Sequence, residues 1–324
     1  LDLAALSQTI LLDGQDSTSD VVCPDLGQWE DSLRNSPVVG EPGDRRPLIL
    51  DADHRLYLYR YWEYEHLLVE SIKRRARRHI SETDIDYGLL KESLHRFFPK
   101  NAENQINWQK IAGLSSALKQ FCVISGGPGT GKTFTIVKIL ALLIEQAGND
   151  PIKIALAAPT GKAAARLGKT LKIARHTLQC SQRIIDAIPV EARTIHRLLK
   201  PVPNTPYFQY NAENRLPADL VVIDEASMVD LALMSKLMQA LADTTRFILV
   251  GDKDQLASVE AGAVLGDICN RGNTHRFSSC FGRQVKELTG EKIRFLSEAD
   301  NRQSGLADCI VSLKKNYRFP DTGG

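Results

Sequence analysis

The fold-deciding stretch is Gly126-Gly127-Pro128-Gly129-Thr130-Gly131-Lys132-Thr133, which lies between the apolar runs 121–124 and 134–140. This order predicts a strand, a glycine-rich loop and a helix. Four glycines within six residues let the backbone curl, so that successive N–H groups point inward at a helix N-terminus and form an anion site. In such a loop Lys132 reaches the β and γ phosphates of a nucleotide, and the Thr133 hydroxyl binds Mg²⁺. A glycine-rich turn with an incidental lysine is the alternative.

The bulk properties of the chain describe an ordinary globular protein without a membrane segment. Its 324 residues suffice for about two domains, and 43% are hydrophobic. The 41 basic and 39 acidic residues nearly cancel, so any contact with nucleic acid must use a local surface. Six scattered cysteines and the lack of an apolar run near ~20 residues predict a reduced, cytoplasmic protein. The first residue is leucine and the last five form a turn, so we expect a piece of a longer protein.

Three further apolar runs are each followed by a polar motif. Run 154–158 leads to Pro159-Thr160-Gly161-Lys162, run 220–223 leads to Asp224-Glu225, and run 247–250 leads to the segment 251–255. Near-continuous apolar strands separated by helical stretches predict a parallel sheet with helices on both faces. Ligands of such sheets bind at the carboxyl ends of the strands. We therefore expect these motifs to meet the glycine-rich loop in one crevice.

The polar residues after these strands suit nucleotide hydrolysis. Asp224 is positioned to hold Mg²⁺ opposite Thr133, and Glu225 to orient and deprotonate a water for attack on the γ-phosphate. Gln255 is a candidate sensor of the γ-phosphate. Two acidic residues that cap the following helix, and a glutamine in a turn, are the structural alternatives.

The flanking regions carry weaker signals. Runs 48–50 and 56–61 predict a hairpin followed by a helix from Trp62, and residues 82–98 predict another helix that ends before Pro99. The polar stretch 100–105 marks a domain boundary. Beyond it, Gln109 begins a helix at a position where an adenine-reading amide would be useful. Near the end of the chain, Tyr317 and Arg318 offer a ring for stacking and a charge for the transition state, although an isolated arginine is usually structural.

Several motifs together resemble superfamily 1 DNA helicases and, within them, the RecD family, the alpha subunits of bacterial exodeoxyribonuclease V. The resemblance runs from about residue 47 to residue 319. It is carried by the segments 126–133, 158–167, 194–199, 224–228 and 251–268, and by the N-terminal stretch 50–65.

This resemblance implies an ATP- and Mg²⁺-dependent motor that moves 5′ to 3′ on single-stranded DNA beside RecB and RecC, in the repair of double-strand breaks by recombination. It implies that Gln109 contacts adenine, that Tyr317 stacks near it, and that Arg318 reaches the γ-phosphate from a second motor domain. It further assigns contacts with the DNA backbone to four residues whose donors suit phosphate. These are Thr160, Lys162, Thr194 and His196.

The predicted fold class is α/β, a RecA-like P-loop NTPase sheet preceded by a small, mainly helical N-terminal domain. We expect a partner-docking domain at 1–104 that contacts RecC, a first RecA-like domain at 105–270, an insertion at 271–312 and the start of a truncated second RecA-like domain at 313–324. Whether this chain alone hydrolyses ATP stays open. A P-loop kinase or nucleotide switch, and a docking module with structural nucleotide, are the competing hypotheses.

Overall fold

A computed structural model describes residues 1–11, 21–78, 80, 84–99, 105–255, 264–271, 274–296 and 305–315. The contacts divide the chain into two compact units, Leu1–Leu67 and Leu68–Gly324. The boundary between these units falls within a helix, Tyr59–Arg77. The four predicted domain ranges, with limits after residues 104, 270 and 312, stay a prediction.

The first unit combines short helices with short strands. Its strands β4 (Leu48–Leu50) and β5 (Leu56–Leu58) pair antiparallel with Ile49 opposite Tyr57, as the predicted hairpin requires, and β3 (Val39–Gly40) joins β4 in parallel. The following helix starts at Tyr59, earlier than predicted. The elements are α1 Leu3–Leu6, β1 Ile10–Leu11, β2 Val21–Val22, α2 Leu26–Arg34, β3 Val39–Gly40, β4 Leu48–Leu50, β5 Leu56–Leu58 and the first part of α3 Tyr59–Arg77, whose residues after Leu67 belong to the second unit.

The second unit is built around a six-stranded sheet in the order β11 (Ile310–Leu313), β6 (Phe121–Gly126), β10 (Arg246–Gly251), β9 (Leu220–Ile223), β7 (Ile154–Ala158) and β8 (Arg193–Thr194), in which every neighbouring pair is parallel. Its elements are α4 Tyr87–Phe97, α5 Trp108–Leu118, β6 Phe121–Gly126, α6 Lys132–Gln146, β7 Ile154–Ala158, α7 Gly161–Ala174, α8 Gln182–Ala187, β8 Arg193–Thr194, α9 Ile195–Leu199, β9 Leu220–Ile223, α10 Leu231–Ala240, β10 Arg246–Gly251, α11 Val264–Arg271, α12 Ser279–Thr289 and β11 Ile310–Leu313.

Helices cover both faces of this sheet, which explains why its central strands β6, β9 and β10 are mostly apolar. Along β6, Phe121 and Val123 belong to one buried cluster, whereas Cys122 and Ile124 belong to the other. Strand β10 alternates in the same way. Because successive side chains point to opposite faces, a strand buried on both faces has no polar position to spare. The predicted doubly covered parallel sheet is confirmed.

Strand β11 is anchored to the rest of the sheet by a buried charge pair. The Asp308 carboxylate accepts hydrogen bonds from Lys119 Nζ at 2.9 Å and from the backbone N–H of Ser278 at 2.7 Å. The side chains of Lys119 and Asp308 are each 6% exposed. The Asp308 carbonyl also accepts from the Ser115 hydroxyl at 2.6 Å. Helices α5 and α12 therefore hold the chain just before β11 begins.

Two predictions about bulk chemistry can be compared with the structure. None of the six cysteines, all within the described residues, forms a disulfide. None of the helices that the structure describes combines the length and the apolar composition that crossing a membrane requires.

Removing the buried carboxylate should destabilise the fold strongly. Replacing Asp308 with alanine leaves the Lys119 ammonium buried without a counter-charge, which costs about 3–5 kcal/mol of unfolding free energy. Urea unfolding measures the change. As a control, Glu70→Ala removes the exposed pair with Lys73 and should cost less than about 1 kcal/mol. Equal effects of the two substitutions would contradict the anchoring role.

Candidate functional site

The glycine-rich loop turns tightly between β6 and α6. Gly129 and Gly131 have φ angles of 83° and 81°, a left-handed conformation that side chains other than glycine rarely adopt. At Gly126 a Cβ atom would lie 2.7 Å from the Thr130 hydroxyl, and at Gly127 the corresponding space is open. These glycines therefore let the loop close tightly on one side and leave room on the other.

Helix α6 begins at this loop with free backbone donors. Its N-cap, Gly131, has no side chain to bond the N–H groups of the first turn, so these donors and the helix dipole are available to an anion. The Lys132 ammonium donates to the carbonyl oxygens of Gly126 and Gly127 at 2.6 and 3.2 Å, which holds its charge against the loop. The loop thus has the donor chemistry of a phosphate site.

Asp224 and Glu225 follow β9, two strands away from the loop. Asp224 is 6% exposed, and burial together with the charge of Glu225 raises its pKa to about 6. Its Oδ1 accepts the backbone N–H of Glu225 at 3.0 Å, a contact that opposes the rise in pKa. Glu225 has a φ of 52°, a conformation that is uncommon outside glycine and concentrates at functional sites.

Arg166 faces Glu225 from helix α7, and sequence reasoning did not single it out. The Arg166 guanidinium lies 3.6 Å from a Glu225 carboxylate oxygen, and its charge also favours the ionised form of Asp224. Arg166 stands four residues after Lys162, which places both on one helix face. Lys162 is a predicted DNA contact, so the four-residue spacing from it is the sequence signal that could have identified Arg166.

A single cleft of about 400 Å³ collects these groups. The Gln255 amide oxygen accepts a hydrogen bond from the Ser227 hydroxyl at 3.0 Å, so the segment after β10 is tied to the segment after Asp224-Glu225. The predicted residues that line the cleft are Gly127, Pro128, Gly129, Thr130, Gly131, Lys132, Thr133, Asp224, Glu225 and Gln255. The structure therefore brings together the loop, the carboxylate pair and the glutamine, as predicted from the strand ends.

Three further residues are predicted to contact the nucleotide. Gln109 lies beside the loop, where its amide nitrogen donates to the Thr130 carbonyl at 3.3 Å. Tyr317 and Arg318 lie outside the described residues.

The four predicted DNA contacts lie at the carboxyl ends of two adjacent strands. Strands β7 and β8 pair with Ala158 opposite Thr194, which puts Thr160 and Thr194 near each other at the same sheet edge. Both threonine hydroxyls accept a backbone N–H at a helix start, at 3.2 Å. Lys162 and His196 follow in the first turns of these helices and are exposed. Their side chains are therefore accessible to a ligand.

The site offers two hard oxygen ligands for a divalent cation. These are the Asp224 carboxylate and the Thr133 hydroxyl, both of which line the cleft. Among the described residues, no group of three histidine, cysteine or acidic side chains could hold a metal by itself. This donor set fits Mg²⁺, which usually takes one or two protein oxygens and completes its shell with phosphates and water.

Two family models match this chain. An AAA domain matches residues 109–261, and the N-terminal domain of RecBCD enzyme subunit RecD matches residues 1–57.

Curated relatives match most of the chain. The RecBCD enzyme subunit RecD of Mycolicibacterium smegmatis is 40% identical over 292 residues, 86% of this chain and 50% of that protein. The same subunit of Haemophilus influenzae is 37% identical over 273 residues, 83% of this chain and 41% of that protein. The ATP-dependent RecD2 DNA helicase of Deinococcus radiodurans is 35% identical over 189 residues, 58% of this chain and 23% of that protein. The chain spans half or less of the length of these relatives.

The raised pKa of Asp224 gives a pH-dependent test in metal-free buffer. The ordinary pKa of an aspartate is 3.8, and the folded protein raises the pKa of Asp224 to about 6 because it disfavours the ionised form. The free energy of unfolding therefore falls as the pH rises from 3.8 through about 6. Asp224→Asn removes this cost and keeps an oxygen for the Glu225 N–H. The stabilisation over the parent should grow by roughly 1 kcal/mol between pH 5 and pH 7.5, as measured by urea unfolding with EDTA. A difference that does not change with pH would contradict the raised pKa.

Proposed function

This chain belongs to the RecD family of RecBCD enzyme subunits, and on that basis we propose that it carries the ATP-hydrolysing site of a helicase that moves 5′ to 3′ on single-stranded DNA. The observation that carries the proposal is the convergence of the phosphate-type loop, Asp224-Glu225 and Gln255 on one cleft. The name of the Deinococcus relative, an ATP-dependent DNA helicase, supports the same activity.

ATP is the proposed substrate, bound through its phosphates. The backbone N–H groups of the loop and of the first turn of α6 would surround the phosphates, and Lys132 would move from the loop carbonyls to the β and γ oxygens. Gln109, which already bonds the loop at Thr130, is proposed to contact the adenine. Tyr317 is proposed to stack nearby.

Asp224 and Thr133 would hold Mg²⁺ at the carboxyl end of β9 and the start of α6. The bound ion would neutralise phosphate charge. Because burial raises the pKa of Asp224 to about 6, a proton must leave this carboxyl before it can act as a ligand below that pH.

Glu225 is the proposed general base. Its backbone conformation and its ion pair with Arg166 orient the carboxylate toward the cleft, which suits the removal of a proton from an attacking water. Gln255 would sense the γ-phosphate and pass its loss to the Ser227 segment through their hydrogen bond. Arg318 would approach the γ-phosphate from a second motor domain and stabilise transition-state charge.

The DNA strand is proposed to cross the carboxyl ends of β7 and β8. Thr160, Lys162, Thr194 and His196 supply hydroxyl, ammonium and imidazole donors that can position phosphates without reading the sequence. A backbone contact of this kind suits a motor that must step along any sequence.

RecB and RecC are the proposed partners, because the relatives are named as subunits of RecBCD. We propose that the N-terminal region, whose residues 1–57 match a RecD model, contacts RecC. A role in the repair and recombination of broken DNA implies a cytoplasmic location in a bacterium.

ATP turnover with and without single-stranded DNA tests the proposal, in the protein as the cell makes it and in the 324-residue chain. Stimulation by DNA in the cell's own protein is expected. If DNA does not stimulate ATP turnover by the cell's own protein, the motor hypothesis is wrong. The alternatives are then a P-loop kinase, a nucleotide switch or a docking module with structural nucleotide.

Glu225→Gln and Lys132→Ala should separate hydrolysis from binding. Glu225→Gln removes the base but keeps the side-chain shape, so turnover should fall by about 10²-fold or more while ATP affinity changes little. Lys132→Ala should lose both, since the ammonium contacts phosphate in the ground state and in the transition state. Fluorescent-nucleotide titration beside phosphate release gives both quantities. Equal loss of binding in the two variants would make Glu225 a metal or structural residue.

Arg166→Ala should lower the kcat of ATP hydrolysis roughly tenfold and leave ATP affinity nearly unchanged, because the base loses the cation that orients it. Arg166→Lys should restore part of the rate. Lys286→Ala, an exposed change on α12, is the matched control. If Arg166→Ala turns over like the control, its contact with Glu225 has no role in the reaction.

A further inference from the structure

A concave surface lies beside α7 at the β8 edge of the sheet, outside the nucleotide cleft. Its volume is about 660 Å³, and four cations line it: Lys169, Lys172, Arg193 and Arg197. We refer to these four side chains and the space between them as the basic groove. None of the roles proposed above uses it.

Small residues on α7 form the floor of the basic groove. Ala164, Ala165 and Gly168 face the segment that begins at Val190. A Cβ atom at Gly168 would lie 2.7 Å from the Val190 carbonyl oxygen, so the helix and the segment approach as closely as two backbones can. The long charged side chains therefore form the walls, and nothing bulky fills the space between them.

The charges of the basic groove are unbalanced. Glu191 is the one carboxylate among its lining residues, against four cations. Within the described part of the chain, none of the four cations forms an ion pair within 4.0 Å, and all four are exposed. By comparison, the exposed cations Lys73 and Arg74 on α3 each pair with a carboxylate. The groove thus presents unpaired donors to a polyanion.

The groove continues the proposed DNA contacts. Arg193 and Arg197 flank Thr194 and His196 in the chain, and Lys169 and Lys172 lie two to three turns beyond Lys162 on α7. At 1.5 Å of rise per residue, Lys162 and Lys172 are about 15 Å apart along the helix axis, enough for a few nucleotides. The lining contains no aromatic ring on which a base could stack.

We propose that the basic groove binds the phosphate backbone of single-stranded DNA, as an extension of the strand path that starts at Thr160, Lys162, Thr194 and His196. The inference rests on the proposed DNA-binding function and names a second stretch of that path. The contacts are purely electrostatic and independent of sequence, because the groove supplies ammonium and guanidinium donors and no stacking surface. An acidic protein segment is the competing occupant, but it would not explain why the cations continue directly from the strand contacts.

Salt-dependent binding of oligothymidylates of 8 and 24 nucleotides tests the groove. For the 24-mer, the double variant Lys169→Ala/Lys172→Ala should bind roughly tenfold more weakly than the parent near 100 mM salt. The slope of log affinity against log salt should decrease in magnitude by about 1.4, since each lost phosphate contact contributes about 0.7. The 8-mer is long enough to reach the groove from Lys162, so its affinity should fall by a similar factor. Fluorescence anisotropy on the protein as the cell makes it gives all of these values.

Two control variants make the result specific. Lys91→Ala/Lys286→Ala removes two exposed lysines from other helices and should leave both oligonucleotides unaffected. Lys162→Ala should weaken the 8-mer and the 24-mer alike, because both use the first part of the path.

Three outcomes would overturn the inference, and they differ in what else they overturn. An unchanged salt slope and affinity in the groove variant, with normal binding by the parent, excludes the groove and leaves the helicase proposal intact. If polyglutamate binds the parent but not the variant while the 24-mer binds both equally, the groove belongs to an acidic protein. If the parent binds neither oligonucleotide, the DNA-binding function and the groove fail together.

Discussion

The parallel pairing of β6, β10 and β9 is the constraint on which the site depends. Because the strands run in one direction, the residues that follow them emerge at one edge, although the strands end at the separate positions Gly126, Ile223 and Gly251. Complete burial on both faces makes this register difficult to change, since a slip by one residue would move each strand's side chains to the opposite cluster. The cleft is thus positioned by apolar packing to which its own polar residues contribute little.

The carboxylates of the cleft are unfavourable for the stability of the fold, because Asp224 is buried and lies next to the charge of Glu225. Asp224 is buried beside another carboxylate, and the Glu225 N–H, Lys132 and Arg166 offset part of that cost. An arrangement of this kind is unfavourable for stability and useful for chemistry, because the charges are already desolvated where a phosphate and a cation would arrive. The left-handed backbone at Glu225 belongs to the same pattern of local cost.

The central strands and most of the cleft could be predicted from the sequence. An apolar run followed by a glycine-rich or acidic motif indicates both a buried strand and the functional residues at its carboxyl end. Strands β7 and β9 have the predicted bounds. Strand β8 was missed because Arg193 and Thr194 form no apolar run, and β11 because its residues 310–313 were assigned mainly to an insertion. Arg166 and the basic groove were also missed. The spacing of Arg166 from Lys162 was a usable signal, whereas the groove depends on which side of α7 Lys169 and Lys172 face, and that direction is set by packing between distant segments.

The position of β11 has a mechanical meaning. Its last residue, Leu313, lies level with Gly126, and a side chain at Gly126 would contact Leu313 at 3.1 Å. The chain that continues through Lys314 and Lys315 therefore departs from beside the first glycine of the loop. The hydrogen bonds of Asp308 to Ser115 and Lys119 fix the N-terminal end of β11, and the strand is only four residues long. Because β11 pairs directly with β6, a force on the chain after Lys315 would act on the strand next to the phosphate loop.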